Sequence, residues 1–319
     1  MSTWETINAI EDSLPSCILK DQRIVCEKII SSKRVVFLDT CFMSSLKFYE
    51  EQTLKESLSA LFEGHDKDKV VFVISELVIY EARDPRNNKI QVYVSDIISI
   101  LNEMKFAVVV LKEESFCELA SEYFARGMEW WNNIFITRLR ENKPYLTKLF
   151  GVIRSDNDCI LSEKLELSAA KMKDPKMIEQ VISQLKERKS DKDSLAEELI
   201  CIVIFFILEC FMDAPKKMVL FCSVDNQALA RIRMSVSNSY SKEACFENLH
   251  LFSLTQYMVK AGVLSDKRKV KTILSKTMPN TIKVIEKKDL PFCENEEILS
   301  LTEIVEGMFA GRVYQYKGN

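Results

Sequence analysis

An α/β fold built around a parallel sheet is what this 319-residue chain predicts, and three observations lead there. Short apolar runs recur and each stops abruptly at a polar or charged residue. Apolar residues at helical spacing separate those runs. Only seven Gly and seven Pro interrupt a composition that is 47% hydrophobic, which favours helix over turn-rich β structure. Short Val/Ile/Phe runs bounded in this way read as strands buried on both faces. Strands that alternate with helices imply right-handed crossovers and a parallel sheet.

Ile7, Ile10 and Leu14, then Ile18, Ile24 and Ile29, recur at helical intervals on either side of Pro15, which predicts two lead-in helices within residues 1–33. Val35-Val-Phe-Leu38 is the first strand and ends at Asp39. Phe42, Leu46, Tyr49, Leu54, Leu58 and Leu61 then keep a helical period up to the polar turn at 64–69. A second strand is expected at 70–74. Ser75 would cap a helix over 76–83, which Asp84-Pro85 closes. A helix near 91–104 leads into a third strand at 106–111.

From 112 to 192 the pattern is helical without strands. A very apolar helix over 191–211, a fourth strand at 218–222, a helix over 225–234 and a short fifth strand at 249–254 complete the sheet. Residues 260–288 are basic, and 294–306 read as an acidic, helix-like stretch. The chain thus divides into a lead-in (1–33), an α/β domain (34–111 with 190–255), a large helical insertion (112–189) and a C-terminal extension (256–319).

Composition excludes several chemistries. Two histidines far apart, His65 and His250, argue against histidine-rich zinc sites and paired-histidine acid–base work. Ten cysteines include no Cys-x-x-Cys pair and several lie in apolar runs, as expected for reduced thiols in a cytoplasmic protein. There is no Gly-rich phosphate loop. Asp39-Thr-Cys lacks the second Asp that a haloacid-dehalogenase-type phosphatase places two residues on. The amino terminus lacks a secretory pattern, and the longest apolar run, 199–208, is too short to span a bilayer, so no membrane partner is expected. The net charge of −3 provides no global positive field, and nucleic-acid binding would have to rest on local patches. Lys267, Arg268, Lys269 and Lys271 form the most compact one. The aromatic and basic stretch 123–148, with Trp130-Trp131, could stack bases, although aromatics at helical spacing equally suit a core.

The chemistry therefore falls to carboxylates. Asp39 and Asp225 each follow a strand, where capping the next helix would explain them. Glu76 and Glu81 lie about 140° apart on one helix, so one of the two should face solvent. Glu81, among Leu77, Val78 and Tyr80, is the better candidate for a site. Ser194-Leu-Ala-Glu197 matches a capping box, and Asp193 falls one turn from Glu197 on the same face. Several sheet-edge acids left bare would repel one another, whereas one or two divalent cations would neutralise them. Hard, oxygen-preferring Mg²⁺ or Mn²⁺ suits such a site and supports phosphodiester hydrolysis.

Val35-Val-Phe-Leu-Asp39-Thr, Val73-Ile-Ser-Glu-Leu-Val-Ile-Tyr-Glu81, Asp193-Ser-Leu-Ala-Glu-Glu-Leu-Ile200 and Val219-Leu-Phe-Cys-Ser-Val-Asp225-Asn together resemble the PIN-domain family of metal-dependent nucleases. In that family the first strand ends in Asp, a helix after strand two carries Glu, a later helix opens with Asp, and Ser/Thr-x-Asp follows strand four. The resemblance implies a five-stranded sheet of order 3-2-1-4-5, with Asp39 and Asp225 adjacent at the point where strand order reverses. It implies catalytic and metal-holding Asp39, Glu81, Asp193 and Asp225, a Mg²⁺ or Mn²⁺ cofactor, and RNA as the partner; the spacing of Glu197 from Asp193 adds Glu197 to the metal ligands expected. The third acid stays open among Asp191, Asp193 and Glu197. The alternative expectation is a catalytically silent PIN-like scaffold that binds RNA, a protein partner or a second copy of itself.

Overall fold

A computed structural model describes residues 3–150, 173–189, 194–211, 217–240, 245–286 and 296–318. Helices α1 (Thr3–Glu11) and α2 (Gln22–Ser31) lead into strand β1 (Arg34–Leu38). Then come α3 (Thr40–Leu46), α4 (Glu51–Leu61), β2 (Val70–Ser75), α5 (Glu76–Glu81), a two-residue ladder of β3 (Arg83–Asp84) and β4 (Lys89–Ile90), α6 (Val92–Glu103) and β5 (Ala107–Leu111). Helices α7 (Glu113–Phe124), α8 (Met128–Glu141), α9 (Met177–Glu187) and α10 (Leu195–Phe211) precede β6 (Met218–Ser223), α11 (Asn226–Ser239) and β7 (Phe246–His250).

The five longer strands form one parallel sheet in the order β5-β2-β1-β6-β7, which in order of occurrence is 3-2-1-4-5, as expected. Its register pairs Phe37 with Val73 on one side and Leu38 with Cys222 on the other. Every residue of β2 is buried, because helices cover both faces of a parallel sheet. The outer edge of β5 is closed by Leu19, whose N–H and C=O bond Val108 O at 3.0 Å and Val110 N at 2.9 Å.

Helix starts follow the caps the sequence offers. Asp21 accepts from Arg23 N and Ile24 N at the start of α2, and Ser75 accepts from Val78 N at the start of α5. The α10 helix is buried along nearly its whole length and packs against α7, α8 and α11. Among the described residues no helix is long and apolar enough to cross a membrane.

Two boundaries differ from expectation. The fifth strand is 246–250, not 249–254, because the His250 side chain accepts from Phe252 N and starts helix α12 (Leu251–Lys260), whose buried Leu251, Phe252, Leu254 and Met258 follow a helical period. The second half of the acidic stretch is helical, but its first half is a strand. After α13 (Lys267–Thr277) and β8 (Thr281–Glu286), the chain forms β9 (Glu296–Ser300), α14 (Leu301–Phe309) and β10 (Tyr314–Gly318), and the three strands make an antiparallel sheet in the order β10-β8-β9. Ser300 and Glu303 complete a capping box at the turn from β9 into α14. A Cβ on Gly307 of α14 would stand 1.9 Å from Tyr314 Oη, so that helix and β10 meet only with glycine there. Ile24, expected on an apolar face, is exposed, while Val25, Cys26, Ile29 and Ile30 turn inward.

Candidate carboxylate site

The carboxyl end of β1 delivers Asp39 to the sheet edge beside β6. Asp39 occupies the N-cap position of α3 yet makes no capping bond with its side chain. Its Oδ2 instead accepts from Ser223 Oγ at 2.6 Å and from the Cys41 thiol at 2.6 Å, while its own N–H donates to Cys222 O at 3.1 Å. At 4% exposure the carboxyl is pushed above its ordinary range by burial; the Cys41 and Ser223 bonds oppose this, and the Asp225 charge adds to it. Capping alone therefore does not account for Asp39.

Asp225 behaves differently. It is exposed, and its Oδ1 accepts from Gln227 N at 2.7 Å and Ala228 N at 3.3 Å, capping α11. Capping does account for this oxygen, while the charge still reaches Asp39.

Glu81, the last residue of α5, turns its Oε2 to the Thr40 hydroxyl (3.3 Å) and its Oε1 to Lys189 Nζ (2.8 Å). Burial raises its pKa, Lys189 opposes, and the Asp39 charge pushes it up again. Glu197, in the first turn of α10, is pushed up to about 7, first by burial and then by the charges of Glu81 and Asp39, with Arg231 opposing. Its Oε2 is buried without a hydrogen-bond partner among the described residues, so the expected capping box does not satisfy both its oxygens. The Ser194 hydroxyl donates to Glu198 Oε1 at 3.2 Å. Asp193, and with it Asp191, lies outside the described residues. The site thus gathers Asp39, Glu81 and Glu197 within reach of one another's charge, with Asp225 at the rim.

The tightest carboxylate group lies elsewhere. Among the described residues, Glu76, Glu113 and Glu114 each bring an oxygen within 4.8 Å of the other two, and all three are buried, so this triad could hold a metal ion. This corrects the expectation that one of Glu76 and Glu81 faces solvent: Glu76 is fully buried and the Glu81 side chain only 20% exposed. The reason is an ammonium from far along the chain. Lys186 Nζ lies 2.7 Å from Glu76 Oε2 and 2.6 Å from Glu113 Oε2 and also contacts Glu114, while Lys112 reaches Glu76 Oε1 at 3.0 Å. Burial works against the charge on Lys186, but Glu113, Glu76 and Glu114 outweigh it and hold the ammonium protonated. In this structure the cation at the triad belongs to the protein.

Sequence reasoning passed over Lys186 and Lys189. Lys186 falls on the buried stripe of α9, one turn beyond Ile182, where a charge signals a buried partner, and Lys189 is buried just past the end of that helix at Glu187.

The four basic residues proposed for nucleic acid lie on α13. Lys267 pairs with Glu306, Lys269 with Glu50 at 2.8 Å, and Lys271 donates to Thr302 Oγ1 at 2.7 Å; Arg268 contributes its backbone N–H to the Asp266 cap. In the aromatic stretch Trp131 is fully buried against Phe206, and Trp130 lies under the Arg126 guanidinium at 4.2 Å.

No protein-family model matches the chain, and no curated protein or solved structure matches it either. Function has to be read from the site itself.

Proposed function

We propose that the chain is a PIN-like nuclease that hydrolyses phosphodiester bonds in RNA with Mg²⁺ or Mn²⁺ held by Asp39, Glu81, Glu197, Asp225 and Asp193. The observation that carries this reading is Glu197. A buried carboxylate oxygen without a partner among the described residues, under the charges of Asp39 and Glu81, is costly in isolation and is relieved by a cation. The position supports it as well. Asp39 and Asp225 follow β1 and β6, the strands between which order reverses, where ligands of open α/β sheets bind, and the charges of Glu81 and Glu197 reach Asp39. The donors are all oxygens, which suits hard divalent cations. Such an ion activates water and stabilises the leaving oxygen of the phosphodiester. Ser223 and Cys41 fix the Asp39 carboxylate, and Thr40 orients Glu81. RNA follows from the resembled family, which acts mostly on RNA.

Two observations favour a second reading, a PIN-like scaffold without catalysis. Lys189 already neutralises Glu81, and Asp225 is engaged as a cap. Calorimetric titration with Mn²⁺ separates the two. Binding in the native protein that disappears in Asp39→Asn supports the metal site; no binding heat in either supports the scaffold.

A further inference from the structure

The C-terminal end of α9 sends two lysines to the two ends of one short helix. Lys186 reaches Glu76, the first residue of α5, and Lys189 reaches Glu81, the last. Both side chains are fully buried. Their surroundings differ. Lys186 is enclosed by three carboxylates, Glu76, Glu113 and Glu114. Lys189 meets Glu81, a carboxylate that is partly open, that accepts from Thr40 on its other oxygen, and that sits within reach of the charges of Asp39 and Glu197.

We propose that Lys189 is a tethered counter-ion of the carboxylate site, and that a divalent cation binding there displaces its ammonium from Glu81. The inference rests on the metal-binding reading of that site and adds how the site is kept balanced without metal.

The two cations compete for one carboxylate. Glu81 Oε1 holds the ammonium at 2.8 Å, while a Mg²⁺ ligand oxygen must approach to about 2.0–2.1 Å. Oε1 already carries the ammonium and Oε2 accepts from Thr40, so a divalent ion bound to Glu81 would stand beside the ammonium and repel it. Withdrawal is within the means of the side chain. A lysine is a point charge on a four-carbon stem with rotatable donors, and Lys189 lies beyond the last helical residue of α9, Glu187. The Lys186 ammonium, contacted by three carboxylates, serves as an internal control.

Two measurements on the full chain test this. Mn²⁺ calorimetry on the native protein, Lys189→Met and Lys189→Arg should give at least tenfold tighter binding for the Met variant and native-like binding for Arg. In the native protein, acetylation by N-hydroxysuccinimidyl acetate read by mass spectrometry should rise at Lys189 on saturation with Mn²⁺, revert with EDTA, and stay low at Lys186 throughout. Equal or weaker Mn²⁺ binding in a folded Lys189→Met, with the native protein binding, overturns the counter-ion and leaves the metal reading standing. So does unchanged Lys189 labelling in Mn²⁺-saturated protein, which decides the matter if the Met variant does not fold. Absence of Mn²⁺ binding in the native protein and in a folded Met variant alike overturns both, and is thereby distinguishable.

Discussion

The Ser223 hydroxyl donates to Asp39 Oδ2 at 2.6 Å and so ties the last residue of β6 to the residue that follows β1. That bond satisfies Asp39 at the sheet edge, whereas the neighbouring Glu197 keeps a buried oxygen without a partner among the described residues.

Glu197→Gln should therefore stabilise the metal-free protein. The folded-state pKa of Glu197 is raised from 4.5 to about 7, so its proton is favoured by folding. Its contribution is fully present below about pH 4.5 and is lost as pH rises through about 7. Urea denaturation should show no difference between native and variant protein near pH 4.5 and a gain in the variant on the order of 1–2 kcal/mol by pH 8, partial exposure limiting its size. The variant should also lose Mn²⁺ affinity. A pH-independent loss of stability would show that Glu197 is a structural cap.

His250 should dominate part of the acid limb of stability. Its Nδ1 accepts from Phe252 N at 2.9 Å, which leaves Nε2 to donate to Val224 O at 3.2 Å, so the ring is held neutral. Burial lowers its pKa from 6.5 to about 4. The stability it contributes is present above pH 6.5 and is lost as pH falls towards about 4, by at most about 3 kcal/mol. His250→Asn, which keeps an N-cap, should flatten denaturation midpoints over that window. An unchanged slope would remove His250 from the account.

The α13 cluster should bind phosphates weakly through residues already engaged at the surface. Replacing Lys267, Arg268, Lys269 and Lys271 by Ala should shift stability by less than about 1 kcal/mol per broken pair. For single-stranded RNA it should flatten the slope of log affinity against log salt by roughly 0.7 for each lost contact. Fluorescence anisotropy across a salt series reads this directly, and an unchanged slope would assign the cluster to packing against α14 and Glu50.

Local pattern reached most of the sheet, because a buried parallel strand is a short apolar run and that signal is self-contained. Asp39 was legible for the same reason, as a charge that ends such a run. The fifth strand was displaced because residues 249–254 are apolar enough for either structure, and the choice was made by the His250 cap. Glu76 was misplaced because its partner, Lys186, lies 110 residues away, and helical spacing around Glu76 contains no trace of it. Lys189 escaped for the same reason: its meaning depends on where the end of α9 docks.

The most direct test of the central claim is cleavage of end-labelled single-stranded RNA by the native protein in Mn²⁺, run beside EDTA-treated protein and Asp39→Asn. Metal-dependent cleavage by the native protein that EDTA and Asp39→Asn both abolish, with the variant still folded, is the predicted result. Cleavage that persists in EDTA and in Asp39→Asn, or no cleavage by the native protein under Mn²⁺ saturation, would contradict it.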